Sequence, residues 1–224
     1  MTALRSALLA AVSAAIPLVL AGQGDVTARL DGRVPPEVTR AVHDIAAATA
    51  ARGLPVEPLI DKAIEGGAKR VPADRVIAAV RALANRLDEA RRALHDGGIE
   101  TPGADVVEGG AYALSAGLGP RQTSELVRIS RPPYDPATSL RVAATLAALG
   151  VPPKQTLDLM ESMIAAGRSP SDLLDLPSAV QTSVAQGATP TQAANGLARG
   201  VAHAPGQAPD FVPPGQAKPH PHKP

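Results

Sequence analysis

Apolar side chains recur at alternating steps of four and three residues along one stretch in the first half of the chain. They occupy six positions between residues 73 and 96, namely Val76, Val80, Leu83, Leu87, Ala90 and Leu94. This spacing places them on a single face of an α-helix and matches the heptad pattern of helices that pack side by side. The pattern therefore predicts one longer helix over residues 73–96, with Leu83 and Leu87 in its buried face.

Two preceding stretches repeat this period and complete a small helical unit. The positions on this period are Val38, Val42, Ile45 and Thr49 in the first stretch, and Val56, Leu59 or Ile60, Ala63 and Gly67 in the second. Residues 35–96 are therefore predicted to form an antiparallel helical segment of three helices that share apolar faces. No stretch of the chain alternates apolar and polar residues as a β-strand does, which favours an all-α fold.

A recurring tripeptide marks where helices begin. It consists of a proline, any residue and then Glu, Asp or Gln, and it starts at Pro35, Pro55, Pro72, Pro120, Pro153, Pro170 and Pro190. Proline suits the first helical position because its missing N–H would have no partner there. Ser169 and Thr189 precede two of these prolines and predict capping boxes. Asp135 and Thr101, each followed by a proline, predict simpler caps.

Glycines mark where the preceding helices end. Five of them lie two or three residues before a start signal, namely Gly53, Gly117, Gly150, Gly167 and Gly187. A glycine there can adopt the left-handed conformation that closes a helix. Residues 97–204 are therefore predicted to form an array of short helices joined by tight turns. Many starts are 16–20 residues apart, which fits a helical-hairpin repeat, and a non-repetitive bundle with the same caps fits the pattern nearly as well.

The first 21 residues have the pattern of a secretory signal peptide. Arg5 is the only charged residue before Asp25, and an apolar run from Ala7 to Leu20 follows it. A run of about 14 residues is too short to span a bilayer of about 30 Å, and the small residue Ala21 provides a cleavage position. The sequence therefore predicts that residues 1–21 are a signal peptide and that the protein is periplasmic or extracellular.

The two ends of the remaining chain are predicted to lack packed structure. Residues 22–34 are interpreted as a linker. From residue 205 the composition changes, because seven of the last twenty residues are proline and Phe211 and Val212 are the only large apolar residues. Such a segment buries too little apolar surface to offset the cost of ordering it, so residues 205–224 are predicted to form a disordered, Pro-rich tail.

Composition and charge exclude several classes of function. Aromatic residues make up 1% of the chain and comprise Tyr112, Tyr134 and Phe211, which leaves no platform for stacking nucleic-acid bases. The absence of cysteine excludes disulfides, thiolate zinc sites and cysteine nucleophiles. Without Arg5 the chain carries 21 basic and 21 acidic residues, so neither nucleic acid nor an anionic membrane surface is expected as a partner. No later stretch is apolar for long enough to be transmembrane.

Histidines are the first remaining candidates for chemistry. His43 and His95 each precede an aspartate, a grouping also present in metal-dependent phosphohydrolases, but no further histidine is suited to complete a metal shell. In the tail, His220 and His222 are separated by one residue and could hold a transition metal weakly. Neither arrangement is interpreted as a resident site, so no metal or cofactor is predicted.

Paired carboxylates are the second candidates. Asp172 and Asp175 stand three residues apart, as do Asp158 and Glu161, and each pair would share a helix face. General acid–base catalysis requires that one carboxyl pKa be displaced by burial. Because Asp172 is already expected to cap its helix and the others are expected at the surface, no catalytic residue is predicted.

Three hypotheses about function remain. The first is an exported, non-catalytic helical scaffold or protein-binding module of the bacterial envelope, whose partner is another envelope protein. A bacterial source is inferred from the Ala, Arg, Pro and Gly bias of the chain. The second is an envelope enzyme that uses a carboxylate pair in an inter-helix cleft, and the third is a carrier of a small apolar ligand. A shallow apolar groove in the structure would favour the protein-binding scaffold. Acidic side chains that converge in a deep pocket would favour the enzyme, and a continuous dry tunnel would favour the carrier.

Overall fold

Residues 23–203 are described by the computed structural model, and over this range the chain is built from helices without a strand. The ten helices of this range are α1 (Gln23–Leu30), α2 (Pro36–Ala50), α3 (Glu57–Ala68), α4 (Ala73–Asp96), α5 (Ala104–Ser115), α6 (Pro120–Ile129), α7 (Pro136–Ala148), α8 (Pro153–Ala165), α9 (Pro170–Ala185) and α10 (Pro190–His203). The predicted all-α class and the longer helix over residues 73–96 are confirmed. The predicted signal peptide and the predicted tail lie outside the described residues.

The predicted capping boxes are present at the start of α9 and α10. In α9, the Asp172 N–H donates to Ser169 Oγ at 3.2 Å, and the Ser169 N–H donates to the Asp172 carboxylate at 3.0 Å. Thr189 and Gln192 form the same reciprocal pair at 3.2 and 2.9 Å. The predicted cap at Asp135 is also confirmed, since its carboxylate accepts the Thr138 N–H at 2.8 Å.

Other predicted helix starts are displaced by a few residues. α3 begins at Glu57, two residues after Pro55, and Pro72 precedes the first residue of α4 instead of occupying it. Thr101 caps no helix, because α5 begins at Ala104 after Gly103, which has an extended backbone. A proline fixes its own φ angle and disfavours the helical conformation of the residue before it, but it does not fix which of the next residues becomes the first helical one.

Replacing the capping hydroxyl of α9 is expected to destabilise the protein measurably. Ser169→Ala removes the acceptor of the Asp172 N–H, and such changes typically lower the free energy of unfolding by about 1 kcal/mol. Urea denaturation of the two proteins measures this difference. Ser178→Ala, at an exposed position inside the same helix, is the matched control and should leave the urea midpoint unchanged or slightly higher, because alanine favours a helix interior more than serine does. Equal midpoints for Ser169→Ala and the wild type would contradict the prediction.

The five predicted glycine helix ends are confirmed. Gly53, Gly117, Gly150, Gly167 and Gly187 all have positive φ angles, between 66° and 103°. Side chains other than glycine rarely adopt this conformation. These glycines therefore reverse the chain after short helices and keep the connections tight.

The buried face of α4 differs from the predicted heptad face at one turn. Val80 and Leu87 are fully buried, but the residue buried between them is Ala84, whereas Leu83 is only partly buried. Residues 83 and 84 both stand three or four positions from residues 80 and 87, so the spacing allows either one to face the core. The prediction that Leu83 belongs to the buried face was therefore wrong, because Ala84 occupies that position in the core.

The predicted linker is replaced over most of its length by a packed helix. Residues Gln23–Leu30 form α1, and Val26 and Leu30 are 5% and 0% exposed. α1 contacts both α2 and α3. The interpretation of residues 22–34 as a linker was wrong because two apolar residues four positions apart suffice to dock one short helix but are too few to show a period.

Each helix packs mainly against helices one or two places away in chain order. The most extensive packing joins α5 to α7 and α4 to α5. Gly109 permits the first contact, since a Cβ placed there would lie 3.1 Å from the Ala137 carbonyl oxygen. This order of packing gives an array or bundle of helices, while a regular hairpin repeat stays a prediction. Among residues 23–203, no helix combines the length and hydropathy needed to cross a bilayer.

Candidate functional site

A groove of about 650 Å³ lies over α4, between α3 and α5. It forms because α3 and α5 both pack on α4 and leave part of its surface open between them. Its lining residues are Pro58, Asp61, Lys62 and Glu65 from α3, Ala79, Ala82, Leu83 and Arg86 from α4, and Tyr112 and Ser115 from α5. This volume is in the usual range of ligand-binding clefts.

The floor and one wall of the groove are apolar. The short side chains of Ala79 and Ala82 leave open space above the surface of α4, which forms the floor of the groove. Leu83 adds a partly exposed apolar side chain to this floor. The Tyr112 ring on α5 is 48% exposed. In contrast, Tyr134 is buried and donates its hydroxyl to the Arg168 carbonyl at 2.6 Å, which gives it a structural role. An exposed aromatic ring beside an apolar floor is typical of a protein-binding surface.

Charged side chains form the rim of the groove. On α3, hydrogen bonds from Lys69 and Lys62 lower the pKa of the Glu65 carboxyl from 4.5 to about 2. On α4, Arg86 donates to Glu89 at 2.8 Å. The Glu65 carboxylate is therefore ionised at neutral pH. These paired polar groups keep the rim hydrated, so the apolar floor is the part of the groove that gains by being covered.

Glu108 lies on α5, outside the set of residues that line the groove. It stands one helical turn before Tyr112 and is partly buried. Loss of hydration raises the pKa of the Glu108 carboxyl, and the charges of Asp105, Glu57 and Asp61 raise it further, whereas Arg141 opposes the shift. The Glu108 carboxylate is thus incompletely compensated by its surroundings.

The raised pKa of Glu108 predicts a pH-dependent stability difference. Folding makes this carboxyl bind its proton more tightly, so its ionisation destabilises the folded state above the folded-state pKa, and this cost disappears below the unfolded-state pKa. Glu108→Gln is therefore expected to unfold at a higher urea concentration than the wild type at pH 7. The advantage should vanish as the pH falls through the titration of Glu108. Glu161→Gln, at an exposed position on α8, is the matched control; a pH-independent advantage for Glu108→Gln would contradict the assignment.

The structure does not bring the candidate histidines together. His43 on α2 lies 3.4 Å from Asp44, and His95 on α4 lies 3.2 Å from Glu100. No cluster of three or more histidine or carboxylate side chains suited to a metal is found in the described part of the chain. The tail histidines, His220 and His222, are outside that part.

One member of each carboxylate pair has a structural partner. The Asp172 carboxylate accepts the Ser169 N–H in the capping box, and Asp158 accepts Lys154 Nζ at 2.7 Å. Asp172 and Asp175 border a small apolar cavity of about 220 Å³ that Leu176 and Leu197 also line. Asp172 thus serves helix capping and Asp158 a surface ion pair. The carboxyl whose pKa is raised is that of Glu108, which sequence reasoning did not single out.

The groove itself was not predicted from the sequence. One signal was available, since Tyr112 falls on the same helical face as Asp105 and Glu108, a face that is otherwise acidic at these positions. A second surface cavity of about 570 Å³ lies at α1 and α2 and is lined mostly by polar residues, including Asp31, Arg40 and His43.

Comparison with known proteins does not identify the function of either cavity. No protein family, no curated protein and no solved structure matches this chain.

Proposed function

We propose that this protein is an exported, non-catalytic helical module of the bacterial envelope that binds another protein through the groove between α3 and α5. The observation that carries the proposal is the 48% exposed ring of Tyr112 beside the apolar surface of Leu83 and Ala82. Burying apolar area contributes about 25 cal/mol per Å², so covering this surface would favour binding. The export part of the proposal rests on the signal-peptide pattern of residues 1–21.

The form of the groove supports binding over the two alternatives. A carrier of an apolar ligand would be expected to enclose it, whereas charged residues such as Asp61 and Lys62 form an exposed rim here. An enzyme with a carboxylate pair needs two acids without structural partners. Of the two carboxylates that line the groove, Glu65 is bonded to Lys62 and Lys69, and Asp61 lies 3.6 Å from Arg29. A shallow surface with one aromatic anchor is the arrangement expected of a protein-binding module.

The proposal is tested by capturing partners from a bacterial envelope extract. We expect the wild-type protein to retain a defined partner that a groove variant, Tyr112→Ala with Ala82→Gln, retains at least about tenfold less, since loss of a central aromatic anchor costs about 1.4 kcal/mol or more. Leu174→Ala removes an equally accessible apolar side chain, 57% exposed on α9, and should retain the partner. Equal capture by the groove variant would contradict the proposed site.

Export is tested separately. The protein is expressed in a bacterial host, and the exported material is analysed by N-terminal sequencing. We expect the sequence to begin at or near Gly22. Retention of residues 1–21 in a membrane fraction would contradict export of a cleaved protein.

A further inference from the structure

A small apolar cavity lies where α10 packs against α8 and α9. Its apolar lining comes from all three helices and consists of Met163 on α8, Leu176 and Ala179 on α9, and Leu197 and Val201 on α10. It is separate from the groove of the proposed function, which is lined only by α3, α4 and α5.

The size of this cavity restricts what it can hold. Clefts for whole ligands usually measure about 300–1,000 Å³, whereas a cavity of about 150 Å³ accommodates one benzene ring. The cavity at α10 has a volume of about 220 Å³, so it suits a single ring and is too small for a lipid. Its occupant is therefore expected to be one apolar side chain of a protein segment.

A matching side chain follows α10 in the same chain. The described residues end at His203, and Phe211 comes eight positions later. It is the only phenylalanine of the chain. The other two rings are placed elsewhere, since Tyr134 is buried and Tyr112 lies at the groove. A short connection within one chain gives an effective concentration on the order of millimolar, which favours Phe211 over a side chain of another molecule.

The connecting residues are suited to bring Phe211 back to the cavity. Pro205 and Gly206 have the residue order of a type II turn, which reverses the chain direction. From Gly206 to Phe211 an extended chain spans at most about 16–18 Å. Leu197 and His203 are separated by only about 9 Å along the axis of α10. The reach of the segment therefore exceeds the distance over which the ring must return.

Prolines beside Phe211 lower the cost of ordering this part of the chain. Pro209 and Pro213 flank residues 210–212, so fewer conformations are lost when the segment docks. The residue before a proline favours an extended backbone, which applies to Val212. Because successive side chains of an extended chain point to opposite sides, Val212 faces away from the surface that Phe211 faces.

We propose that Phe211 inserts its ring into the cavity between α8, α9 and α10 and ties the C-terminal segment back onto the helices. This inference is independent of the proposed function. Burial of the ring against Met163, Leu176 and Leu197 supplies the stabilisation, with a favourable sulfur–ring contact from Met163. Phe211 is then the ordered anchor of a segment that the sequence otherwise predicts to be disordered. It covers the end of the helix array, where α10 packs only against helices that precede it.

The experiment is NMR spectroscopy of the full chain labelled with ring-¹³C phenylalanine and methyl-¹³C methionine. The single phenylalanine gives one set of ring signals, and the three methionines, Met1, Met160 and Met163, give one methyl signal each. Comparison with Met163→Leu assigns the Met163 signal. We expect a nuclear Overhauser effect between the Phe211 ring and the Met163 methyl group. In Phe211→Ala the Met163 methyl signal should shift, because the ring current is lost.

Thermal unfolding gives a second measurement. Phe211→Ala should lower the melting temperature by about 2–4 °C, the shift usual for a chain of this size when a contact of modest strength is lost. Val212→Ala is the matched control, because it removes a neighbouring apolar side chain that faces away from the cavity. It should leave both the Met163 signal and the melting temperature unchanged.

Three results would overturn the inference. The first is the absence of contact between the Phe211 ring and the Met163 methyl group. The second is a contact that disappears on dilution, because the ring would then come from a second copy of the chain. The third is an equal effect of Phe211→Ala and Val212→Ala. None of these results concerns the groove between α3 and α5, so the proposed function would be unaffected.

Discussion

Leu87→Ala is expected to lower the free energy of unfolding by about 2–5 kcal/mol, the range for truncating a fully buried leucine. Leu87 is 0% exposed on α4. That helix packs against α2, α3, α5 and α6, so several neighbours would have to move to fill the space that the leucine leaves. The loss is a large part of the roughly 5–15 kcal/mol by which folded domains are usually stable, and urea denaturation measures it directly.

The matched control is Leu83→Ala, one turn earlier on the same helix. Leu83 is partly buried and lines the groove, so its truncation removes less buried area and creates no closed cavity. We expect a loss of about 1 kcal/mol, in keeping with the smaller apolar area that returns to water. Equal losses for the two variants would mean that the buried face of α4 is assigned wrongly.

Gly109→Leu is expected to destabilise the protein by about 1–3 kcal/mol or more, the usual cost of inserting side-chain atoms into a well-packed contact. Gly109 is buried between α5 and α7. Even the first added atom, the Cβ, would lie 3.1 Å from the Ala137 carbonyl oxygen and 3.3 Å from Leu140 Cβ. A leucine therefore has to push apart the most extensively packed pair of helices, which thermal and urea unfolding would detect.

Gly196→Leu provides the control for helix propensity. Gly196 lies inside α10, and a Cβ placed there would meet nothing within 4 Å. Replacing an exposed helical glycine with a good helix former typically stabilises by about 0.5–1 kcal/mol. Opposite signs for the two substitutions are the expected result. A stabilising effect at Gly109 would show that α5 and α7 approach less closely than the structure describes.

Local signals made the helices themselves predictable. Ser169 and Asp172 identify their capping box because the two side chains act on backbone atoms only three residues away. Gly150 and Gly167 identify helix ends because the left-handed conformation excludes most other residues. Such features depend on the neighbouring chain alone, so they survive in any tertiary arrangement.

Tertiary packing decided what the local pattern left open. Leu83 and Ala84 both satisfy the heptad spacing, and the structure selects Ala84 because α3 and α5 lie on either side of α4 and leave the Leu83 side open. α1 was missed because Val26 and Leu30 gain their burial from contacts with α2 and α3, which the local pattern of residues 22–34 does not reveal.

The candidate site depends still more on tertiary structure. The groove requires that α3 and α5 flank α4, and the raised pKa of the Glu108 carboxyl depends in part on Glu57, some 50 positions away in the chain. Neither arrangement leaves a period or a motif in the sequence. Only Tyr112, a ring on an otherwise acidic helix face, offered a hint.

Packing between near neighbours in chain order has a consequence for how the molecule opens. When each helix depends mainly on those one or two places away, loss of one end need not propagate to the other, and unfolding can proceed in stages. Helices in the middle of the chain order, such as α5 and α7, pack against helices that precede them and helices that follow them. In contrast, α1 packs only against helices that follow it, and α10 only against helices that precede it. Backbone amides of α5 should therefore exchange with deuterium most slowly, and those of α10 should exchange through local opening well below the global unfolding free energy.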